Sequence, residues 1–220
     1  MATDGELGTR RDGRRVIRNE PSSNGRSLNS PFNLGDMPAG RAMETLDERS
    51  VHAPVPVMFE LVRDVERWPE LLPHYRFVRF REKSADGGGI VEMSANRPFG
   101  VANWPTWWLS EMEVDHEKPA VRFRHIGGVT KEMDVEWSLT PTASGTHVRL
   151  VHVWDGPRWP LIGVFAATAV IGPVFIHGIA SRTLEGLARV AERSVRLQAG
   201  GQGPADLPSH ESPVTSHELS

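Results

Sequence analysis

The spacing of hydrophobic residues changes several times along this chain, and each change predicts a different element. Residues 46–52 predict a short strand, which ends at Pro54 because proline lacks the N–H that a strand ladder needs. The apolar residues that follow recur with helical spacing until Trp68-Pro69 breaks the helix, and one more turn fits before the next proline. The pattern therefore predicts a strand, two short helices and a second strand that begins at Tyr75.

The next 80 residues alternate between apolar and polar positions and are divided by turn signals. Glycine- or proline-containing turns occur at residues 86–89, 97–100, 116–119, 127–128 and 141–145. This spacing favours antiparallel hairpins over parallel crossovers. Period-2 alternation then assigns one face of each strand to the core. The inward sets predicted in this way are Trp108, Ser110, Met112 and Val114; Val121, Phe123 and His125; Val135, Trp137 and Leu139; and Val148, Leu150, His152 and Trp154.

The last apolar stretch predicts a helix that lies along the sheet. Residues 160–180 contain no Asp, Glu, Lys or Arg over 21 positions, a length that could span a membrane. Gly163, Gly172 and Pro173 interrupt the run, and an amphipathic pattern begins at Ile176, so we favour a cavity lid followed by a surface helix. Docking of this lid on a membrane surface is the alternative.

These elements together predict an α+β fold in which a curved antiparallel sheet wraps around a long C-terminal helix. Residues 44–198 form the predicted domain. The flanking segments 1–43 and 199–220 are rich in Gly, Ser, Pro and charged residues, which predicts disordered tails. A chain of 220 residues with 39% hydrophobic residues has enough apolar surface for one such core.

Composition excludes several functions. The chain has no Cys, so disulfides and thiolate catalysis are excluded, and a reducing, cytoplasmic location is expected. The formal net charge of −3 does not favour nucleic acid, although the N-terminal tail is locally basic. Nucleotide-binding and metalloprotease motifs are missing, and the nine His are scattered, so no cofactor and no metal are expected.

The segment Ala53-Pro54-Val55, followed by Phe59, Leu61-Val62, Asp64-Val65-Glu66 and Trp68-Pro69-Glu70-Leu71-Leu72-Pro73, carries a family resemblance. It resembles the first segment of domains in the START-like superfamily, also called SRPBCC or Bet v 1-like. This superfamily includes polyketide cyclase/dehydrases, aromatase/cyclases and coenzyme Q-binding proteins. The resemblance covers about residues 46–196 and implies a helix-grip fold. Because this scaffold serves lipid carriers, quinone binders and cyclases, the resemblance specifies the fold better than the chemistry.

Seven Trp residues suggest where a ligand would bind. Trp107 and Trp108 are neighbours on one strand and must face opposite sides, so they cannot share one core. We expect a mostly apolar cavity with a few polar groups, the usual form of a small-molecule site. The predicted ligand-binding residues are Trp104, Trp108, Ser110, Phe123, Trp137, Trp154 and Phe165.

Three residues are candidates for acid-base chemistry if the protein is an enzyme. His125 and His152 lie on predicted inward positions, and imidazole titrates near neutral pH. The resemblance to aromatase/cyclases implies a cavity role for Tyr75, which follows the Trp-Pro-Glu-Leu segment. It also implies an Arg at the start of the central Trp-bearing strand, but a gapless alignment places Trp104 there. That departure weakens the cyclase interpretation, because a fixed cation would stabilise an enolate.

Three functions follow from this sequence. The first is a carrier or binding protein for a lipid, an isoprenoid quinone or a polycyclic aromatic compound. The second is a polyketide cyclase/dehydrase that uses Tyr75, His125 or His152, and the third is a protein-interaction module. The partner expected in the first two is a hydrophobic small molecule; contact with a membrane surface and the oligomeric state stay open.

Overall fold

A computed structural model describes residues 32–99, 102–156 and 177–200 of the chain. Seven antiparallel strands form one curved sheet in the order β1-β7-β6-β5-β4-β3-β2, and a C-terminal helix, α3, lies against it. The predicted helix-grip architecture is therefore confirmed. The elements are β1 Met43–Val51, α1 Val55–Arg63, a 3₁₀ turn Val65–Arg67, α2 Trp68–Leu71, β2 Tyr75–Lys83, β3 Gly89–Phe99, β4 Ala102–Asp115, β5 Ala120–Gly128, β6 Asp134–Thr142, β7 Gly145–Trp154 and α3 His177–Gly200.

Several strand boundaries differ from the sequence prediction; the turn predicted at residues 127–128, for example, lies inside β5. The pairing of strands explains two further differences. β1 begins three residues early, because it pairs with β7 over its whole length from Met43 opposite Trp154. β3 continues through residues 97–99, where a turn was predicted, and its ladder with β4 ends at Phe99 opposite Ala102. In both places the partner strand decides the boundary, since pairing satisfies backbone groups that a single-strand pattern does not reveal.

The core lies between the inner face of the sheet and the helices. Along α3 the buried side is Ala180, Thr183, Leu184, Leu187, Ala188 and Ala191, while Arg182, Glu185 and Arg189 lie on the exposed side. This division agrees with the amphipathic pattern in the sequence. No helix within the described ranges is long and apolar enough to cross a membrane. Most of the uncharged stretch 160–180, namely residues 160–176, lies outside the described residues, and so does the cavity lid predicted there.

Residues before β1 also contact the domain. Leu34 is buried, its N–H donates to Glu113 Oε2 at 2.9 Å, and its carbonyl accepts from Arg124 Nη2 at 3.1 Å. Both partners are strand residues, on β4 and β5. The N-terminal segment thus contacts the sheet from about residue 34, nine residues before the predicted end of the tail.

Candidate functional site

A cavity lies between the inner face of the sheet and the first turns of α3. The wall on the sheet side comes from β2 to β7 and from the loop between β5 and β6, and Ile179, Ala180 and Thr183 form the α3 side. Its volume is about 70 Å³. One buried water needs about 10–15 Å³, so there is room for several waters or a small apolar group.

Five of the fifteen described residues in the cavity wall carry aromatic rings. Trp68 lies at their centre, with ring centroids 5.3 Å from Tyr75, 6.1 Å from Trp137 and 6.5 Å from Phe123. Its indole N–H donates to Leu61 O at 2.9 Å, which satisfies the one polar group of this ring. Tilted and edge-on pairs at these separations are favourable for aromatic rings. The wall is therefore suited to a flat, apolar ligand.

Trp108 lies in this wall beside a local irregularity in the sheet. The register between β4 and β5 shifts between Leu109 and Ser110, and Trp108 pairs with Gly128 just before that shift. Gly128 has a φ of +89°, and an added Cβ would lie 2.2 Å from Trp107 O. Only glycine permits this approach. The chain thus fixes the position of Trp108 through a residue that has no side chain.

His125 is held in the cavity wall by a hydroxyl group. Its Nδ1 lies 2.7 Å from Thr130 Oγ1, and its ring is nearly parallel to that of Trp108, at 20° and 6.0 Å between centroids. The loop that carries Thr130 is clamped, because Trp154 Nε1 donates to Lys131 O at 2.9 Å and Glu132 N donates to His125 O at 2.8 Å. The imidazole therefore has a defined orientation.

His152 is oriented in the same manner, from β7 of the same sheet. Its Nδ1 lies 3.3 Å from Thr45 Oγ1, on the paired strand β1. His125 and His152 are both 6% exposed and both line the cavity. Two imidazoles with Nδ1 bound to a threonine hydroxyl thus face one small apolar space.

A second polar group lies where β2 meets α3. Tyr75 Oη is 3.3 Å from Thr183 Oγ1, and His74 Nε2 is 3.1 Å from the same oxygen. Burial raises the pKa of Tyr75 well above its usual value, so this phenol stays protonated. Burial and the nearby Arg182 lower the pKa of His74 to about 4, so its ring is neutral at pH 7.

The described lining contains no Asp, Glu, Lys or Arg. With five aromatic rings and two imidazoles, the described part of the lining is mostly apolar and carries no fixed charge. Hydrogen bonds to a ligand are stronger in such surroundings than in water, and an unpaired polar group on either side is costly. The cavity is chemically suited to a neutral ligand with few polar atoms.

Six of the ten predicted site residues line the cavity: Tyr75, Trp108, Phe123, His125, Trp137 and His152. Ser110 is fully buried beside His125 but is not part of the lining, and its Oγ has no hydrogen-bond partner among the described residues. Trp154 is also buried away from the lining, with its indole N–H directed at Lys131 O. The side chain of Trp104 and all of Phe165 lie outside the described residues.

Sequence reasoning missed four residues that matter to the geometry: Trp68, Thr130, His74 and Thr183. Trp68 had a signal, since it lies within the resemblance segment and is one of the seven Trp, but its spacing was interpreted as that of a helix breaker. The two threonines and His74 act through contacts with other elements, such as the Tyr75–Thr183 pair 108 residues apart in the chain. No local pattern indicates such a contact.

The chain has detectable relatives in sequence. The family model described as polyketide cyclase / dehydrase and lipid transport matches residues 51–172, more than half of the chain. A protein of Streptomyces cyaneus, named as a candidate polyketide cyclase, is 30% identical over 109 residues. That match covers 49% of this chain and 69% of the relative.

Solved structures share the fold. The Zhui aromatase/cyclase from Streptomyces sp. R1128 superposes with a TM-score of 0.60 at 17% identity, over 71% of this chain and 97% of that one. A START superfamily protein from Mycobacterium smegmatis gives a TM-score of 0.51 at 14% identity, over 70% and 98%. At these identities the likeness concerns the fold alone.

Proposed function

Because the chain belongs to the polyketide cyclase/dehydrase and lipid transport family, we propose that its cavity binds a poly-β-keto chain and that His125 and His152 exchange protons with it. The observation that carries this proposal is the pair of imidazoles, each bound at Nδ1 by a threonine, in one mostly apolar cavity. A fused-ring or folded ligand needs more room than 70 Å³, so the lining side chains must move outward when it binds.

The proposed chemistry needs one base and one acid. A neutral imidazole removes a proton from a methylene between two carbonyls, and the resulting enolate attacks a ketone carbon of the same chain. The first imidazole, now imidazolium, returns its proton to the alkoxide that forms, directly or through the second imidazole. In the dehydration that follows, one imidazole removes a proton from the carbon between the new alcohol and the carbonyl, and the same proton is passed to the leaving hydroxyl, so that water departs and the ring double bond forms. Imidazole is suited to both roles because its pKa lies near neutral pH.

The contacts at Nδ1 support one choice of the ring nitrogen that would meet the ligand. Since Thr130 and Thr45 engage Nδ1 of His125 and His152, proton exchange with the ligand would use Nε2 of each ring. Tyr75 is not a base in this scheme, because its pKa is raised and its hydroxyl is bonded to Thr183.

The test separates turnover from binding. We would compare His125→Gln and His152→Gln with wild type for conversion of a poly-β-keto substrate, and for affinity by quenching of tryptophan fluorescence. His147→Gln is the matched control, because His147 lies on the same strand as His152 and its side chain contacts Glu48 instead of the cavity. Loss of general acid-base catalysis typically costs about 10²–10⁴-fold in rate. We expect that loss in both cavity variants with affinity kept within severalfold; equal loss of rate and affinity would contradict the proposal.

A second function is favoured by the lack of fixed charge in the described lining. Without a cation to stabilise an enolate, the cavity would serve as the binding site of a carrier for a hydrophobic small molecule. Native mass spectrometry of the protein from its own host, followed by extraction, tests this. A released lipid or quinone, together with wild-type behaviour of both His variants, would favour the carrier; an empty protein that converts polyketides would exclude it.

A further inference from the structure

Thr183 Oγ1 has three polar neighbours, and its chemistry decides the direction of all three hydrogen bonds. The neighbours are Ile179 O at 2.8 Å, His74 Nε2 at 3.1 Å and Tyr75 Oη at 3.3 Å. A threonine hydroxyl has one proton and two lone pairs. A carbonyl oxygen can only accept, so the proton of Thr183 goes to Ile179 O. The two remaining bonds must therefore be donated to Thr183.

This direction fixes the tautomer of His74. Its Nε2 must carry the proton that is donated to Thr183, and the ring is neutral because its pKa is lowered to about 4. The backbone of His74 is also held, since its carbonyl accepts from Asn96 N at 2.7 Å. His74 thus occupies one lone pair of the threonine oxygen.

The same direction fixes the hydroxyl of Tyr75. Its proton is donated to the other lone pair of Thr183, and the hydroxyl of Tyr75 makes no further hydrogen bond among the described residues. Tyr75 is 7% exposed and lines the cavity. The oxygen therefore keeps its own lone pairs for whatever occupies the cavity, and its proton is not available to the ligand.

We infer that Tyr75 is a hydrogen-bond acceptor in the cavity, and that the site therefore selects a ligand that presents a hydroxyl group, a phenol or an enol, to this oxygen. This inference rests on the proposed function, because it assumes that the ligand enters this cavity. A poly-β-keto chain in its keto form has only acceptors, whereas the enol and the aromatised phenol can donate. The site would favour the enolic and aromatised forms along the proposed reaction.

A ligand that places a carbonyl at the Tyr75 oxygen should bind more weakly than one that places a hydroxyl there. A carbonyl facing the Tyr75 oxygen leaves two buried acceptors against each other without a proton between them. Leaving a buried polar group unpaired typically changes affinity by about tenfold to hundredfold. Tyr75 is the group that faces the ligand here, while His74 and Thr183 act as positioning residues that fix the direction of its hydroxyl proton.

A matched ligand pair tests the inference. The probes are 2-naphthol and 2-tetralone, which share a fused ten-carbon skeleton and present a hydroxyl and a carbonyl at the same position. Because 2-tetralone also has one partly saturated ring, the readout is the change of the affinity ratio between variants. In wild type we expect a preference for 2-naphthol that falls by about tenfold in Tyr75→Phe. In Thr183→Val the phenol proton of Tyr75 loses its acceptor and can turn to the cavity, so the preference should move further toward 2-tetralone. Thr183→Ser keeps the hydroxyl and should keep the wild-type ratio.

The tautomer of His74 can be measured without a ligand, and it tests the same hydrogen-bond directions independently. In protein labelled with ¹⁵N in its histidines, the ring nitrogen shifts distinguish a protonated from an unprotonated nitrogen, and the signal of His74 is assigned by its loss in His74→Gln. We expect the Nε2–H form at pH 7. The Nδ1–H form would overturn the inference, as would a ligand ratio that is unchanged in Tyr75→Phe. If neither probe binds while His74 shows the Nε2–H form, the proposed binding function fails and the acceptor role of Tyr75 stands.

Discussion

Trp107 and Trp108 are adjacent in sequence and lie on opposite faces of β4. Trp108 is 7% exposed and lines the cavity, whereas Trp107 is 40% exposed and donates its indole N–H to Glu92 at 2.7 Å. The alternation of a strand requires this arrangement. The pair therefore gives a built-in comparison between a cavity residue and a surface residue of the same type.

Replacing Trp108 should cost more stability than replacing Trp107. Trp108→Ala removes a buried ring and leaves a void, which typically lowers the free energy of unfolding by about 3–5 kcal/mol. Trp107→Ala removes a partly exposed ring and one hydrogen bond, so we expect the free energy of unfolding to fall by about 1–2 kcal/mol. Urea denaturation of both variants measures the difference. Equal losses would contradict the assignment of faces.

The buried His74 should make stability depend on pH in the acidic range. Its pKa is lowered from 6.5 to about 4 in the folded state, so the unfolded state takes up the proton first as pH falls. The stabilising contribution is therefore complete above pH 6.5 and is lost as pH falls from about 6.5 to 4. The full effect is on the order of 1–3 kcal/mol, since one pKa unit corresponds to about 1.4 kcal/mol.

His74→Gln removes this titration and is the control for it. We expect the melting temperature of wild type to fall more steeply than that of His74→Gln between pH 6.5 and 4. Parallel curves for the two proteins would show that His74 titrates alike in the folded and unfolded states.

Glu92 is an acid, whereas His74 is a base, but both should make the protein less stable as pH falls. A hydrogen bond from Arg79, together with one from Trp107, lowers the pKa of this carboxyl from 4.5 to about 2. Its stabilising contribution is therefore present above pH 4.5 and is lost as pH falls toward 2. Glu92→Gln should be less stable than wild type at pH 7, and the gap in urea midpoint should close below pH 4.5. A gap that stays constant down to pH 2.5 would be inconsistent with the depressed pKa.

Gly186 should not tolerate alanine, although it lies inside a helix. A Cβ at this position would lie 2.3 Å from Leu72 Cδ2, and Leu72 is only 1% exposed. Alanine gains up to about 1 kcal/mol in helix propensity, but overpacking typically costs about 1–3 kcal/mol. We expect a net loss in the free energy of unfolding.

The double variant Leu72→Val/Gly186→Ala tests whether the contact with Leu72 causes the loss of stability. If the contact with Leu72 is responsible, the double variant should lose less than the sum of the two single variants. Additive losses would mean that the two positions are independent.

The inner face of the sheet could be predicted from sequence because alternation in a strand is local. Trp108, Phe123 and His125 were assigned inward by period alone, and they line the cavity. Local alternation does not show whether an inward residue lies beside the cavity or beyond its end. Trp154 follows the same period as His152, but it lies at the strand end, where the loop carrying Lys131 covers its indole.

The polar network could not be predicted because it joins distant elements. Thr183 looked like one residue of an amphipathic stripe, and only the packing of α3 on β2 brings it to Tyr75 and His74. The loop geometry that holds Thr130 against His125 depends in the same way on contacts from β7. The sequence predicts which residues face inward, and packing decides which of them touch.

The most direct test of a ligand site in this cavity is a titration followed by the indole N–H signals in a two-dimensional NMR spectrum. Each signal is assigned by a Trp→Phe variant, and 2-naphthol is the probe. We predict that the signals of Trp68, Trp108 and Trp137, which line the cavity, shift with saturation, while that of Trp107, on the outer face, does not. A saturable shift of Trp107 with unchanged Trp68, Trp108 and Trp137 signals would place binding outside the cavity and contradict the account.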